Sequence, residues 1–309
     1  MDVFSQFTPG LAVAWQDALA HERAAYPFYT DAWHTQWFAS LGTGEQPMIL
    51  ADVPTHTLIP LAVKDGHAHF SGGEEIADYL DAVGSEAAKA AIWQKALGII
   101  KMQGATQLVL RNIPEDSETL SFFRSVSGAA IEQEDTTPRL SLPDTFDAYT
   151  ASLGRKDRHE LRRKLRKFEA AYPGNAITVA AGEDTDMMQL MSLMARDEDK
   201  QAFLTDAMKQ FFQNLPDTVG HALTQHTLSL DGNAIATAVS FHTGDALLLY
   251  NSGYNADYVG AGLYLKTKMI EWAIAQHIHT YNFLQGNERY KYELGGKDFF
   301  VYRVTYTLR

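Results

Sequence analysis

The stretch 246–262, ALLLYNSGYNADYVGAG, decides how this chain is read. Apolar residues lead into Tyr250, polar and glycine residues follow, and a helix-period run begins at Gly262 without a spacer. Ala246 to Tyr250 reads as a buried strand, because a short apolar run bounded by turn residues belongs inside a sheet. Gly260 and Gly262 stand where the first amides of the next helix lack an intrahelical acceptor. Such a loop lets a phosphate sit on the helix N-terminus, and it serves equally as an eased strand-to-helix turn. No Gly-Lys-Ser/Thr follows, which excludes a Walker loop. The G-x-G-x-x-G fingerprint is also absent, and the strands before the loop form an antiparallel meander.

Outward from this stretch, the same order of elements occurs twice. Leu228 to Leu230, an Asp231-Gly232 turn, Ala234 to Phe241, a Thr243-Gly244-Asp245 turn and Ala246 to Tyr250 make a meander. A helix from about Gly262 to Gln276 and a strand from Tyr281 to Phe283 come next. In the first half, Met48 to Leu50, Leu58 to Val63 and His67 to Phe70 lead into Ser71-Gly72-Gly73. A helix from about Glu86 to Lys101 and a strand from Leu108 to Leu110 follow. The repetition argues for two similar α/β domains with mixed sheets, divided near Pro138 to Pro143 into residues 1–140 and 141–309. Helices are expected around Phe146 to Leu153, over the basic segment, around Asp186 to Ala195, and from Thr205, a potential N-cap, to Leu215.

The 309 residues are 46% hydrophobic and 21% charged, with 22 Gly, 10 Pro and no Cys. That composition builds compact cores and excludes disorder, collagen and coiled coil. Without cysteine there is no disulfide, thiolate zinc site, iron–sulfur cluster or cysteine nucleophile. The start of the chain has no basic n-region and too short an apolar run for a signal peptide. With no transmembrane segment in the sequence, the reading is a cytoplasmic protein, with peripheral membrane contact left open. Net charge is −12, but GRKDRHELRRKLRKF places eight cations of 155–167 against Asp157 and Glu160. The rest carries 18 basic and 36 acidic residues, which excludes general DNA binding. The helix 155–167 reads as a solvated face over Leu161, Leu165 and Phe168, or as a docking surface for an anionic partner.

At the Asp257-Tyr-Val-Gly260-Ala-Gly262 string the chain resembles the GNAT acyltransferase superfamily. There a loop of type R/Q-x-x-G-x-G/A after a splayed strand cradles the coenzyme A pyrophosphate. Asp257 departs from that pattern. Pro27-Phe28 with Trp33 and Trp37, Gly72-Gly73 to Asp78-Tyr-Leu-Asp81, and Leu110-Arg111-Asn112-Ile113-Pro114 narrow the resemblance to the FemAB-like, CelD-type branch. In the second half it is carried by the arginine-rich helix, Lys200 with Phe203-Leu204, Tyr250-Asn-Ser-Gly-Tyr254, and Phe283-Leu-Gln-Gly286 leading to Tyr290-Lys291-Tyr292. The resemblance implies tandem GNAT-like domains, the acyl-CoA N-acyltransferase fold. It also implies acyl transfer from a coenzyme A or carrier-protein thioester to an amine of a sugar, polysaccharide precursor or long-chain amine lipid.

On that resemblance acetyl-CoA or a longer acyl-CoA is the co-substrate, held by Tyr250, Asn251, Ser252, Tyr258, Gly260 and Gly262. An amide at Tyr250 to Ser252 is the oxyanion donor, and Tyr254 or Tyr258 protonates the departing thiolate. Lys291 stabilises the oxyanion or holds a phosphate. Asp78 and Asp81 are candidates for the base or for orienting the acceptor's ammonium, Glu288 is a third candidate base, and Asp81, Asp197, Lys200 and Glu288 line the acceptor site, each against the plainer reading of a cap or solvated charge. The basic helix would meet coenzyme A, an acyl carrier protein, tRNA or anionic lipid. The histidines form no H-x-x-x-H or H-E-x-x-H pattern and no metal is expected. No G-x-S-x-G elbow occurs. Competing readings are an aminoacyl-tRNA-dependent FemAB-like transferase and a non-catalytic GNAT-like module.

Overall fold

The computed structural model describes residues 1–24 and 26–308 and divides into two compact units, 1–136 with 299–309, and 137–298. The first unit runs β1 (Asp2–Phe4), α1 (Pro9–Ala20), α2 (Asp31–Ser40), β2 (Gln46–Asp52), β3 (Thr57–Lys64), β4 (His67–Phe70), β5 (Val83–Gly84) and α3 (Glu86–Met102). It continues through β6 (Gln107–Pro114), α4 (Glu118–Ser125) and β7 (Ala130–Thr136). Its sheet has the order β1-β2-β3-β4-β6, then the last strand of the chain, β14 (Phe300–Thr307), then β7, with β5 on β3. β4 and β6 are parallel over His67–His69 and the other neighbours are antiparallel. α3 buries Ile92, Trp93, Ala96 and Ile100, a stripe at helical spacing.

The second unit runs β8 (Arg139–Ser141), α5 (Phe146–Ser152), α6 (Arg155–Ala171), β9 (Ala176–Ala181), α7 (Met187–Met194), α8 (Glu198–Phe203), α9 (Asp206–Gln213) and α10 (Leu215–Val219). It ends with β10 (Leu223–Leu230), β11 (Asn233–Thr243), β12 (Ala246–Tyr254), α11 (Ala261–Ala275), β13 (Thr280–Asn282) and α12 (Arg289–Glu293). The sheet order is β8-β13-β12-β11-β10-β9, with β12 and β13 parallel and the rest antiparallel. Its core packs α5, α6 and α11 on the sheet through Tyr149, Leu161, Phe168, Leu265, Met269 and Ile270. Thr205 caps α9, its hydroxyl accepting from the Met208 amide.

Both sheets are mixed and flanked by helices, and both contain the meander, helix and parallel strand expected from the duplication. Two features differ from the sequence reading. β14 returns to the first sheet between β6 and β7, with Val301 and Val304 fully buried, so the division is not 1–140 and 141–309. β12 continues past Tyr250 to Tyr254, because β11 is long enough to pair with all of it.

Candidate active site

β12 is paired with β11 along its whole length but with β13 only from Ala246 to Leu248. Past Leu248 the β13 side of β12 has no strand partner among the described residues, and a wedge opens between the two strands. A β-bulge sits at its start. Val239 faces Asn251 and Ser240 faces Leu249, which leaves Tyr250 as the extra residue. A bulge bends and twists its strand, and here it lies where β12 parts from β13 while keeping its pairing with β11. α7 presses on the opposite side of this segment, where a Cβ on Gly253 would fall 2.3 Å from the Met194 nitrogen.

The loop after β12 folds on Asn255, whose side chain accepts from the Asp257 amide and whose carbonyl accepts from the Tyr258 amide. Gly260 is the N-cap of α11 at φ 94°, ψ −1°, a left-handed conformation that glycine adopts without strain. The Ala261 amide bonds the Tyr258 carbonyl, while those of Gly262 and Leu263 have no protein acceptor among the described residues. This amide cup opens onto a cleft of about 400 Å³. One wall is Arg163, Lys164, Lys167 and Phe168 of α6, the other Val259, Gly260, Leu263 and Tyr264, and Tyr290 and Glu293 of α12 complete it. Arg163 pairs with Glu160 at 2.7 Å and Lys164 with Glu293 at 3.2 Å, whereas Lys167 has no ionic partner among the described residues. The departure at Asp257 does not obstruct this cup, since its side chain is exposed and is absent from the cleft lining.

The sequence-derived residues fall into three groups. Tyr250, Asn251 and Ser252 lie on the wedge segment and Gly260 and Gly262 at the cup. Tyr254 is about half exposed, with its ring under Gly262, and Tyr258 packs against Tyr172.

Lys200 and Lys291 meet at the wedge. The Lys200 ammonium donates to the Ser252 carbonyl at 2.5 Å, and burial lowers its pKa. Lys291 is on the short helix α12, not at a strand end, and is buried. Its ammonium donates to the carbonyls of Leu284, Gln285 and Gly286 at 3.0, 2.5 and 3.1 Å and pairs with Glu288 at 3.0 Å. Those four acceptors occupy its three protons and make it the clasp of the 284–288 loop. Asp197 is the N-cap of α8, accepting from the Lys200 amide.

Asp78 and Asp81 belong to the first unit. Asp81 is buried in an ion network with Lys89 at 2.9 Å, and also accepts from Ser117 Oγ and the Ala82 amide at 2.7 Å each. That carboxylate is saturated, which gives it a structural role instead of an acceptor-binding one. Asp78 is half-buried in the 74–81 segment, which closes over the end of β6. There Asn112 Nδ2 donates to the Glu74 and Ala77 carbonyls, and the Leu80 amide donates to the Asn112 carbonyl.

Sequence reasoning missed two residues. Tyr290 lines the cleft, and burial raises its pKa. Lys266, on α11, is buried, and its ammonium lies 4.9 Å from the Tyr290 ring centroid. Burial, reinforced by the charges of Lys200 and Lys291, lowers its pKa to about 8. A signal for it existed, because Lys266 stands three residues after Leu263 and four before Ile270, on the helix's apolar stripe. Asp17, His21 and His56 of the first unit bring potential metal-ligand atoms within 4.8 Å of one another, a grouping invisible to motif spacing.

Residues 155–292 match the family described as acetyltransferase (GNAT) domain. No curated protein matches the chain. Among solved structures, L-PGS from Bacillus licheniformis superposes with TM-score 0.67 at 11% identity, covering 100% of this chain and 95% of the other. FemX gives 0.61 at 12%, covering 99% and 97%. A tandem GNAT protein from the clavulanic acid biosynthesis pathway gives 0.57 at 12%, covering 99% and 98%. Within the second unit, residues 155–292 therefore match a GNAT domain family, and the chain as a whole has a tandem GNAT-like fold.

Proposed function

We propose that the second unit transfers an acyl group from a coenzyme A thioester to an amine. The observation that carries this reading is the open wedge along β12, contiguous in sequence with an amide cup whose cleft is walled by the cations of α6. Oriented amides at a helix N-terminus favour a diphosphate, and Arg163, Lys164 and Lys167 add the charge that its anions need. With the nucleotide end anchored there, the thioester reaches the wedge.

The chemistry asks little of the protein. The amine nitrogen attacks the thioester carbonyl carbon, the C–S bond breaks, the nitrogen sheds a proton and the thiolate takes one up. An amide of Tyr250 to Ser252 donates to the carbonyl oxygen as it gains charge. Tyr254, whose hydroxyl has no partner among the described residues, serves as the acid for sulfur, and Glu288, exposed beside Lys291, as the proton acceptor. Lys291 acts as a positioning residue, fixing the carbonyls of 284–286. The acceptor is an amine of a sugar, a polysaccharide precursor or a long-chain lipid.

Thiol release from acetyl-CoA in the presence of a panel of amines tests this directly. With no cysteine in the chain, a thiol-reactive reagent reads only liberated coenzyme A. Amine-dependent release is expected; no release with any amine, together with no coenzyme A binding, overturns the reading. The basic face of α6 supports a second donor, aminoacyl-tRNA, for which a gel shift at physiological ionic strength is the discriminating measurement.

A further inference from the structure

Lys266 is a buried cation without a counterion. It is 7% exposed, and among the described residues its ammonium has no hydrogen bond and no ion pair, only the face of Tyr290. Its electrostatic neighbours are Lys200, Lys291 and a single carboxylate, Glu288, which already pairs with Lys291. Three ammonium groups from three helices thus gather near the wedge; Glu288 faces all three and Asp197 faces Lys200 as well, and neither carboxylate pairs with Lys266. Burying an unpaired charge is costly, and gathering like charges adds to the cost, so folding alone does not favour this arrangement. An anion entering the wedge removes both penalties at once.

We propose that Lys266, flanked by Lys200 and Lys291, forms a subsite for a compact oxyanion, a carboxylate or phosphate carried by the substrate. The three lysines come from α8, α11 and α12, so the subsite is assembled by tertiary structure rather than by one charged helix. Lys266 does not itself line the cleft under α6, which it adjoins through Tyr290. The subsite's consequence, which rests on the transferase reading, is that the acceptor amine also bears an acidic group, as a carboxylated or phosphorylated amino sugar does. A plain alkylamine or neutral amino sugar would leave Lys266 unpaired and react more slowly.

The test uses the full chain and three variants, Lys266→Met, Lys266→Arg and, as a surface control in the first unit, Lys101→Met, melted in inorganic phosphate or acetate against chloride at constant ionic strength. The wild type should gain thermal stability saturably. Lys266→Met should lose the response by about tenfold in apparent affinity, while Lys266→Arg and Lys101→Met keep it. A larger response to acetate assigns a carboxylate, a larger response to phosphate a phosphate. An absent response in the wild type, or an unchanged one in Lys266→Met, overturns the proposal. Coenzyme A binding is measured on the same variants and should be retained by Lys266→Met. If coenzyme A fails to bind while the anion response depends on Lys266, the donor assignment falls and the anion subsite stands. With turnover in hand, the preference of kcat/KM for an acidic amine over its neutral analogue should be about tenfold in the wild type and vanish in Lys266→Met.

Discussion

The two units place the same device, a parallel strand pair beside a long helix, in opposite conditions. In the first, β4 and β6 run parallel over His67–His69 and the continuation is filled by the chain itself, with Ile76, Ala77, Tyr79 and Leu80 buried and Ala77 and Leu80 bonded to Asn112. In the second, β12 and β13 run parallel over three pairs and the continuation stays open. The buried lysines follow suit. Lys89, the fourth residue of α3, sits among Glu86, Asp81 and Glu22 at 2.7, 2.9 and 3.4 Å, and these carboxylates raise its pKa despite burial. Lys266, the sixth residue of α11, has no such partners, and its pKa falls to about 8. A paired buried charge serves the fold, whereas an unpaired one is available to a ligand.

The sharpest way to break this contrast is to neutralise each lysine. Lys89→Met strands three carboxylates around a removed cation and should cost about 3–5 kcal/mol in denaturant unfolding. Lys266→Met should leave stability unchanged or raise it. Equal losses would mean that both lysines are structural.

Acid probes a liability that the units share. His34 in the first and His226 in the second are buried, and desolvation lowers their pKa values to about 3 and about 4. The unfolded chain protonates both near pH 6.5, so it binds more protons than the folded chain below that pH. Their contribution to stability is complete above pH 6.5 and is lost as pH falls toward the folded values. For His226 the loss by pH 4 is roughly 3 kcal/mol, and His226→Phe should flatten that part of the stability–pH profile. A profile unchanged by the substitution would show that folding does not shift the titration of His226.

Smaller effects separate the glycines. Gly260→Val forces a β-branched residue into a left-handed conformation and should cost about 1–2 kcal/mol by denaturant unfolding. Gly98, exposed inside α3 with nothing within 4 Å of an added Cβ, should gain about 0.5–1 kcal/mol on replacement by Ala. Opposite signs at the two positions would confirm that Gly260 is retained for its conformation.

Much of this fold is legible locally. Alternation and turn residues mark β4 and the meander of β10, β11 and β12, the periodicity of Ile92, Ala96 and Ile100 marks α3, and Thr205 announces α9. Legibility stops where pairing is non-local. Nothing in FVYRVTYT tells that β14 pairs with β6 and β7, about 160–200 residues earlier in the chain, instead of with its neighbours in sequence. The site divides in the same way. Gly260 and Gly262 declare themselves by spacing, and the basic segment by density. The roles of Asp81 and Lys291 depend on partners brought in by tertiary structure. Asp81 finds Lys89 and Ser117, and Lys291 finds a loop of carbonyls.

Calorimetric titration of coenzyme A into the wild type, Gly260→Val and Lys167→Met tests the account most directly. Saturable binding by the wild type, weakened about tenfold or more in both variants, is the predicted result. No binding at millimolar coenzyme A, or binding indifferent to both substitutions, would contradict it.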